Sequence, residues 1–423
     1  MVQRYEDLLA YKGGKQLVML LIQKCFYAIP TFFFQTLAPQ YHRWTKQLDE
    51  AMKSLILKLA EHDSSSPSLQ WNPASNYARQ IPLSQGGLGI KSFDELKHFA
   101  WATAIKNYAS ENPVLLGNTL DRVNELCRTT WSIKQMPKQT KLLWNERYKA
   151  LLGREPHAAT STYQNRELQA SKKSVSTRLF ITVPLFGRGF NLRNEDIAYA
   201  VRKRILLHFI NSQWQCDANG RDSPYSARCT TIMDARNNHF WSCKKNALRV
   251  RTHNDARDEV AKVLRYHGVT VATEQNVDPT SGRRHADLLI TDPSRPAIKY
   301  VTDITLPHVN NPSNINTTVI GILRRDYQKK IDAMAKVQET HPNPDHKTKP
   351  LVLTTHGRLH KDSLSFLQDL AEQAQQSSIY PARIIKADIE MTIAKQIVAN
   401  EVNELFRHNK RHNRALARAR GRT

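Results

Sequence analysis

The sequence predicts a multi-domain α+β protein, with a helical N-terminal half followed by an α/β core. Two patterns lead to that class. Through residues 1–62, and again after residue 90, apolar side chains recur at helical spacing. Between 269 and 305 the pattern changes to short β-branched runs, VTVATEQ, ADLLI and AIKYVTDIT. Turn signals at Asp278-Pro279, Ser281-Gly282 and Asp292-Pro293 separate these runs. Each run holds one well-spaced acid: Glu274, Asp287 and Asp303 in turn.

Taken in order, KQLVMLLIQKCFYAI reads as a helix that Pro30 breaks, and APQYHRWTKQLDEAMKSLILKLAEH as a second. The second carries Trp44, Leu48, Met52, Leu55 and Leu59 along one face, so it is expected to pack. The most apolar window, LVMLLIQKCFYAIPTFFFQTLA, is interrupted by Gln23, Lys24, Pro30 and Gln35. It fits a buried helix pair better than a membrane span. HDSSSPS reads as a polar linker, and Gly86, Gly87 and Gly89 as a tight turn. No strand-forming run precedes those glycines, as a phosphate cradle would require. Residues 111–210 read as a helical linker region. Its Ser/Thr-rich stretch HAATSTYQNRELQASKKSVSTR looks like linker, and EDIAYAVRKRILLHFI returns to helix. Arg202, Lys203 and Arg204 suit either a phosphate backbone or a solvated helix face. DARDEVAKVLRYHG, with Val260, Val263 and Leu264 spaced helically and Gly268 as a stop, precedes the strands.

The 423 residues carry a formal net charge of +24, from 62 Lys and Arg against 38 Asp and Glu. That balance favours a polyanionic partner, because neutralised phosphates release condensed counterions. Five cysteines form an odd, sparse set, which argues against a secreted disulfide framework. Met1 to Leu9 carries Arg4, Glu6 and Asp7 before any apolar run, so no cleavable signal peptide is expected. The tail RHNKRHNRALARARGRT holds seven Lys or Arg and no acid; it suits a disordered nucleic-acid-binding tail or a nuclear-localisation patch.

Between 211 and 248 lies a candidate zinc knuckle. Cys216, Cys229, His239 and Cys243 offer three thiols and an imidazole, a tetrahedral Zn²⁺ set. His239-x3-Cys243 has good spacing for half a site, whereas Cys216-x12-Cys229 requires the intervening loop to close back. The alternative is reduced structural cysteines beside an ordinary histidine.

Carboxylates converging from neighbouring strands hold hard divalent cations for phosphodiester chemistry. Alternation along AIKYVTDIT places Lys299, Val301, Asp303 and Thr305 on one face, with Asp287 on the adjacent strand. Asp287 and Asp303 are therefore the expected Mg²⁺ (or Mn²⁺) pair, with Glu274 supporting. For each acid the alternative is a solvated strand-end charge. His253, in RTHND, is either a helix-start cap partner or a phosphate contact.

Two stretches resemble a known family. IPLSQGGLGI at 81–90, between an aromatic-rich helix and a DEL-type helix, resembles the region after the palm in non-LTR retrotransposon reverse transcriptases. The resemblance implies that 1–110 is a helical thumb-like connector region. No Tyr/Phe-x-Asp-Asp run is present. The polymerase palm is thus expected upstream or on a separate polymerase-bearing chain, and this chain is not expected to polymerise by itself. Residues 249–375 resemble the restriction-like endonuclease domain of site-specific members, of the PD-(D/E)xK superfamily. The matching elements are the Arg/His-rich helix start, Glu274, Ala286-Asp287, Asp303-x-Thr305, the basic helix VIGILRRDYQKKIDAMAKVQ and the strand PLVLTT. The resemblance implies an αβββαβ core around a central mixed sheet, with 376–423 as a helix and basic tail.

One departure matters. Thr305 stands where the motif places Lys. The positive group is expected instead from Lys330, ahead of Lys329 and Lys299, because a Lys on the following helix occurs in the superfamily. The implied function is metal-dependent nicking of target DNA for target-primed reverse transcription. DNA and element RNA are the implied partners, the nucleus the implied location, and no membrane is involved. The alternative is a decayed, non-catalytic remnant that binds nucleic acid without cutting it.

Overall fold

The computed structural model describes residues 2–9, 11, 14–61, 71–108, 113–152, 161–181, 192–209, 215–216, 229–244, 247–277 and 285–420. The expected linker at 62–68, the turn at 278–284 and the segment between Cys216 and Cys229 lie outside these residues. The chain is α+β and divides into two compact units. The first comprises Met1–Leu168 and Phe180–Leu207, the second Gln169–Leu179 and His208–Thr423. No helix among the described residues is long and apolar enough to cross a membrane.

The first unit is helical. Its order runs α1 (Val2–Leu9), α2 (Gly14–Lys24), α3 (Ala28–Thr36), α4 (Thr45–Ala60), α5 (Pro73–Gln80) and α6 (Phe93–Tyr108). It continues with α7 (Pro113–Leu116), α8 (Thr119–Cys127), α9 (Thr140–Leu152), α10 (Thr162–Ser171, shared with the second unit from Gln169), α11 (Arg178–Ile181, shared with it up to Leu179) and α12 (Asn194–Arg204). Pro30 does not break a helix as expected. It sits in the first turn of α3, where its missing N–H is not needed, and the break falls at Cys25–Tyr27. Met52, Leu55 and Leu59 of α4 are buried as their spacing predicts. Asp49 of the same helix caps α6 from outside, accepting from the N–H groups of Phe93 (2.9 Å) and Asp94 (3.1 Å). The glycine turn is tight, with Gly86 and Gly89 both at positive φ.

Two expectations fail here for the same reason. The Ser/Thr-rich linker contains α10, because Leu168 has a buried partner set in Ala74, Ala78, Ile81 and Leu206 that polar composition does not reveal. Arg202 and Arg204 sit neither on a phosphate face nor in solvent. Both are buried, Arg202 donating to the Ala60 carbonyl at the end of α4 and Arg204 to the carbonyls of Leu83 and Gly87. Lys15 joins Arg202 at that helix end, donating to the carbonyls of Lys58 (3.2 Å) and Leu59 (3.1 Å). These cations cap backbone.

The second unit holds the sheet. Its order is α13 (Asn238–Ser242), α14 (Leu248–Tyr266), β1 (Val271–Asn276), β2 (His285–Thr291), β3 (Lys299–Thr302) and β4 (Ile304–Thr305). Then follow α15 (Val319–Thr340), β5 (His346–Thr348), β6 (Leu351–Val352), α16 (Lys361–Ala374) and α17 (Ala382–Arg420). Strand order is β1-β2-β3-β5; the first two pairings are antiparallel and β3 with β5 is parallel, while β4 pairs β6 in parallel. The sheet is therefore mixed, and its last two positions are each one strand in two pieces. AIKYVTDIT is interrupted at Asp303, and the final strand at Lys349–Pro350, where proline supplies no ladder N–H. Val301 packs with Met334 and Val337 of α15, and Tyr300 meets Phe366 of α16, so the strand is covered on both faces. α14 starts at Leu248, seven residues before the helix that the sequence suggested, and ends at Tyr266, two residues before Gly268 with φ +82. The basic tail is helical as far as Arg420, as the end of α17, and not the disordered arm that its composition suggested.

Candidate functional site

Four ligand-type side chains converge in the second unit. The donor atoms of Cys216, Cys229, His239 and Cys243 all lie within 4.8 Å of one another. Local structure delivers them in two pairs. His239 and Cys243 lie one helical turn apart at α13, where the Cys243 N–H donates to the His239 carbonyl (2.8 Å). Asp234 holds that turn by accepting from the N–H groups of Asn238 (3.0 Å) and His239 (2.8 Å). Cys216 comes back to Cys229 through the bridge Gln215↔Ile232, with the Cys216 N–H donating to the Thr231 carbonyl (2.8 Å). The long Cys216–Cys229 spacing is closed by this short antiparallel pairing, which the sequence did not show.

The edges of the cluster have metal-site lengths. Zn–S bonds of about 2.3 Å at tetrahedral angles imply S···S edges of about 3.8 Å and S···N edges of about 3.6 Å. Cys216 Sγ lies 3.8 Å from Cys243 Sγ, and Cys229 Sγ lies 3.4 Å from His239 Nε2. A disulfide would bring the sulfurs to about 2.05 Å, and all of these cysteines are free. Burial pushes the Cys229 thiol up, but hydrogen bonds with Thr231, His239 and Cys243 outweigh it and bring it down to about 6. A thiol so tuned is ready to bind as thiolate. The cluster can hold a metal ion, and its sulfur-rich donor set fits Zn²⁺.

The three acids form a second feature. In the β1–β2 register, Thr273↔Leu288 and Gln275↔Ala286 flank Glu274 and set it against Asp287. In the β2–β3 register, the step beyond Leu288↔Thr302 sets Asp287 against Asp303. Glu274, Asp287 and Asp303 thus make a transverse row over three neighbouring strands. Asp287 Oδ2 accepts the N–H of Ile304 (2.7 Å), so the side chain substitutes for ladder pairing and ends β3 at Thr302. Glu274 sits inside β1, at φ +51.

Each acid already has a cationic or imidazole neighbour. Lys330 Nζ on α15 lies 3.0 Å from Asp303 Oδ2. His253 Nε2 on α14 lies 3.1 Å from Asp287 Oδ1, so this histidine meets the acidic row. Arg257, one turn further along α14, binds Glu274. Among the described residues, the Cys216–Cys243 set is the one group of three or more ligand-type side chains with donors drawn so closely together. Lys299 is exposed at the start of β3, four residues and roughly 13 Å of strand before Asp303. Lys329 is exposed on α15. Thr305 lies in β4, half-buried.

No protein-family model and no curated protein matches this chain. Function therefore has to be argued from these two features. Sequence reading passed over Asp234, Arg257 and Trp241. Asp234 had a readable signal, an Asp shortly before a short helix, whereas the other two act through partners distant in sequence.

Proposed function

We propose that this chain is the C-terminal part of a non-LTR retroelement protein. In this reading residues 211–248 form a Zn²⁺ knuckle and residues 249–375 a restriction-like endonuclease that nicks target DNA. The observation that carries it is the register-aligned row Glu274–Asp287–Asp303, met at Asp303 by Lys330 from the next helix, within the element order helix, three strands, helix, strand. The oxygen-only donors of the row suit a hard cation, and Asp287 and Asp303 would hold Mg²⁺ or Mn²⁺. Such an ion supplies Lewis acidity at the scissile phosphate and a more acidic attacking water. Lys330 brings to Asp303 the positive charge that Thr305 does not provide. His253 Nε2 faces Asp287 Oδ1 and would orient that carboxylate toward the ion. The formal charge of +24 gives the long-range attraction to DNA and element RNA, and the nucleus is the compartment where such a target lies.

A second reading has its own observation. All three carboxylates are engaged by Arg257, His253 and Lys330, as expected of a fold that binds nucleic acid without cutting it. Nicking of supercoiled plasmid in Mg²⁺ or Mn²⁺ separates the two. The nuclease reading expects relaxation by the wild type and at least a hundredfold loss, of order 3 kcal/mol, in Asp303→Asn and in Asp287→Asn. Asparagine at 287 still accepts the Ile304 N–H, so its loss reports on chemistry and not on folding. Plasmid left intact by the wild type while still being bound supports the remnant.

A further inference from the structure

Between the two metal-cluster ligands of α13 lie side chains that point the other way. Trp241 is buried; its ring stacks on His308 (centroids 6.2 Å, planes 15° apart), and its Nε1–H donates to Glu401 of α17 (2.6 Å). Asn238, immediately before His239, accepts from Asn310 Nδ2 (3.1 Å). His308 and Asn310 belong to the connection that leaves β4 just after Asp303 and leads to α15, which carries Lys330. That connection is fixed at further points. His308 Nδ1 lies 2.9 Å from Thr355 Oγ1, and its carbonyl accepts from Asn314 Nδ2 (2.8 Å). Asn314 Oδ1 in turn accepts from Arg325 of α15 (2.8 Å).

We infer that Trp241 and His308 are positioning residues through which metal in the Cys216–Cys229–His239–Cys243 cluster sets the distance between Asp303 and Lys330. The five-residue turn of α13 is held at its start by Asp234, and its far end, at Cys243, is what a bound ion would clamp to His239. Clamping the turn fixes the indole between them, and the indole fixes the ring of His308. The segment joining the strand of Asp303 to the helix of Lys330 is then held at one place. Without the ion the turn loosens, and the acid and the ammonium lose their common frame. This inference rests on the metal reading above but not on nuclease activity.

Zero-length carbodiimide coupling of Lys330 to Asp303 in the full chain measures the distance directly, read as yield of the joined peptides by mass spectrometry. Zinc content is determined in the same samples. With Zn²⁺ bound the coupled pair forms, and chelation lowers its yield at least about fivefold, the low end of a coupling between sites. Trp241→Ala and His308→Ala lower it similarly while zinc content stays at one ion per chain. Trp241→Phe, which keeps a ring against His308, retains it. Unchanged yield after zinc is removed overturns the inference, as does full yield in His308→Ala. A chain that takes up no zinc overturns the metal reading and this inference together, and the zinc content distinguishes that result from the others.

Discussion

Cys243 shows how much one side chain can carry. It closes the α13 turn through its N–H, lies 3.8 Å from Cys216 Sγ, and is almost fully buried. Cys243→Ser keeps the size and the backbone bond but removes the soft donor. Zinc content measured on the purified variant should fall from about one ion per chain to near zero. The melting temperature should drop as well, because binding energy in such clusters is folding energy. Cys127→Ser is the control: this thiol is buried outside the cluster, and burial pushes it up to about 12. It should leave the zinc content unchanged.

The β2–β3 hairpin is held by one carboxylate at its turn. Asp292 is fully buried and accepts from the Ser294 N–H (2.9 Å) and hydroxyl (2.7 Å), the Tyr300 hydroxyl (2.8 Å) and Arg295 Nη2 (2.9 Å). Burial alone would push its pKa up, but these donors outweigh it and hold the group at about 2, below the ordinary 3.8. The sign follows from linkage. A carboxylate with a lowered folded value contributes stability above about pH 4 that is lost as pH falls toward 2, here roughly 2 kcal/mol. Thermal melts between pH 5 and pH 2 should show this loss in the wild type, and Asp292→Asn should reduce the acid-dependent part. The Asp292-Pro293 turn was legible in the sequence, as were the three strand regions that carry the acids. The interruption at Asp303 was not. It arises because a side chain of β2 takes the Ile304 N–H, a partnership that no run of residues in AIKYVTDIT encodes.

For the molecule as a whole, charge is the property that the sequence states most directly. With 62 Lys and Arg, the proposed binding to duplex DNA or to RNA should weaken by at least about tenfold between 50 and 200 mM salt, measured by anisotropy, in the wild type and in Asp303→Asn alike. A salt-independent affinity would remove the polyanion argument. What composition could not tell was which cations are available for that role. Arg202 and Arg204 look like members of a basic run, yet they face carbonyl oxygens inside the first unit. Lys330 looks like one of several helix lysines, yet it is the one on Asp303. The order of elements could be read from periodicity and turns, because those signals are local. The pairing of Cys216 with Cys229 and the burial of α10 depend on partners far along the chain.

Glu274 adopts a left-handed backbone in the middle of a strand, a conformation that costs a residue with a Cβ about 1–2 kcal/mol relative to glycine. Its tie to Arg257 is exposed on the glutamate side, and Arg257 keeps Asp258 as a second partner, so the tie returns only part of that. Glu274→Gly is therefore expected to make the protein more stable by about 1 kcal/mol in denaturant titration, while removing one member of the acidic row. A neutral drift in stability would favour glycine at this position. A chain that keeps glutamate there holds a strained backbone in the row of acids, and a gain in stability coupled to a loss of nicking in this single variant would show what the strain is for.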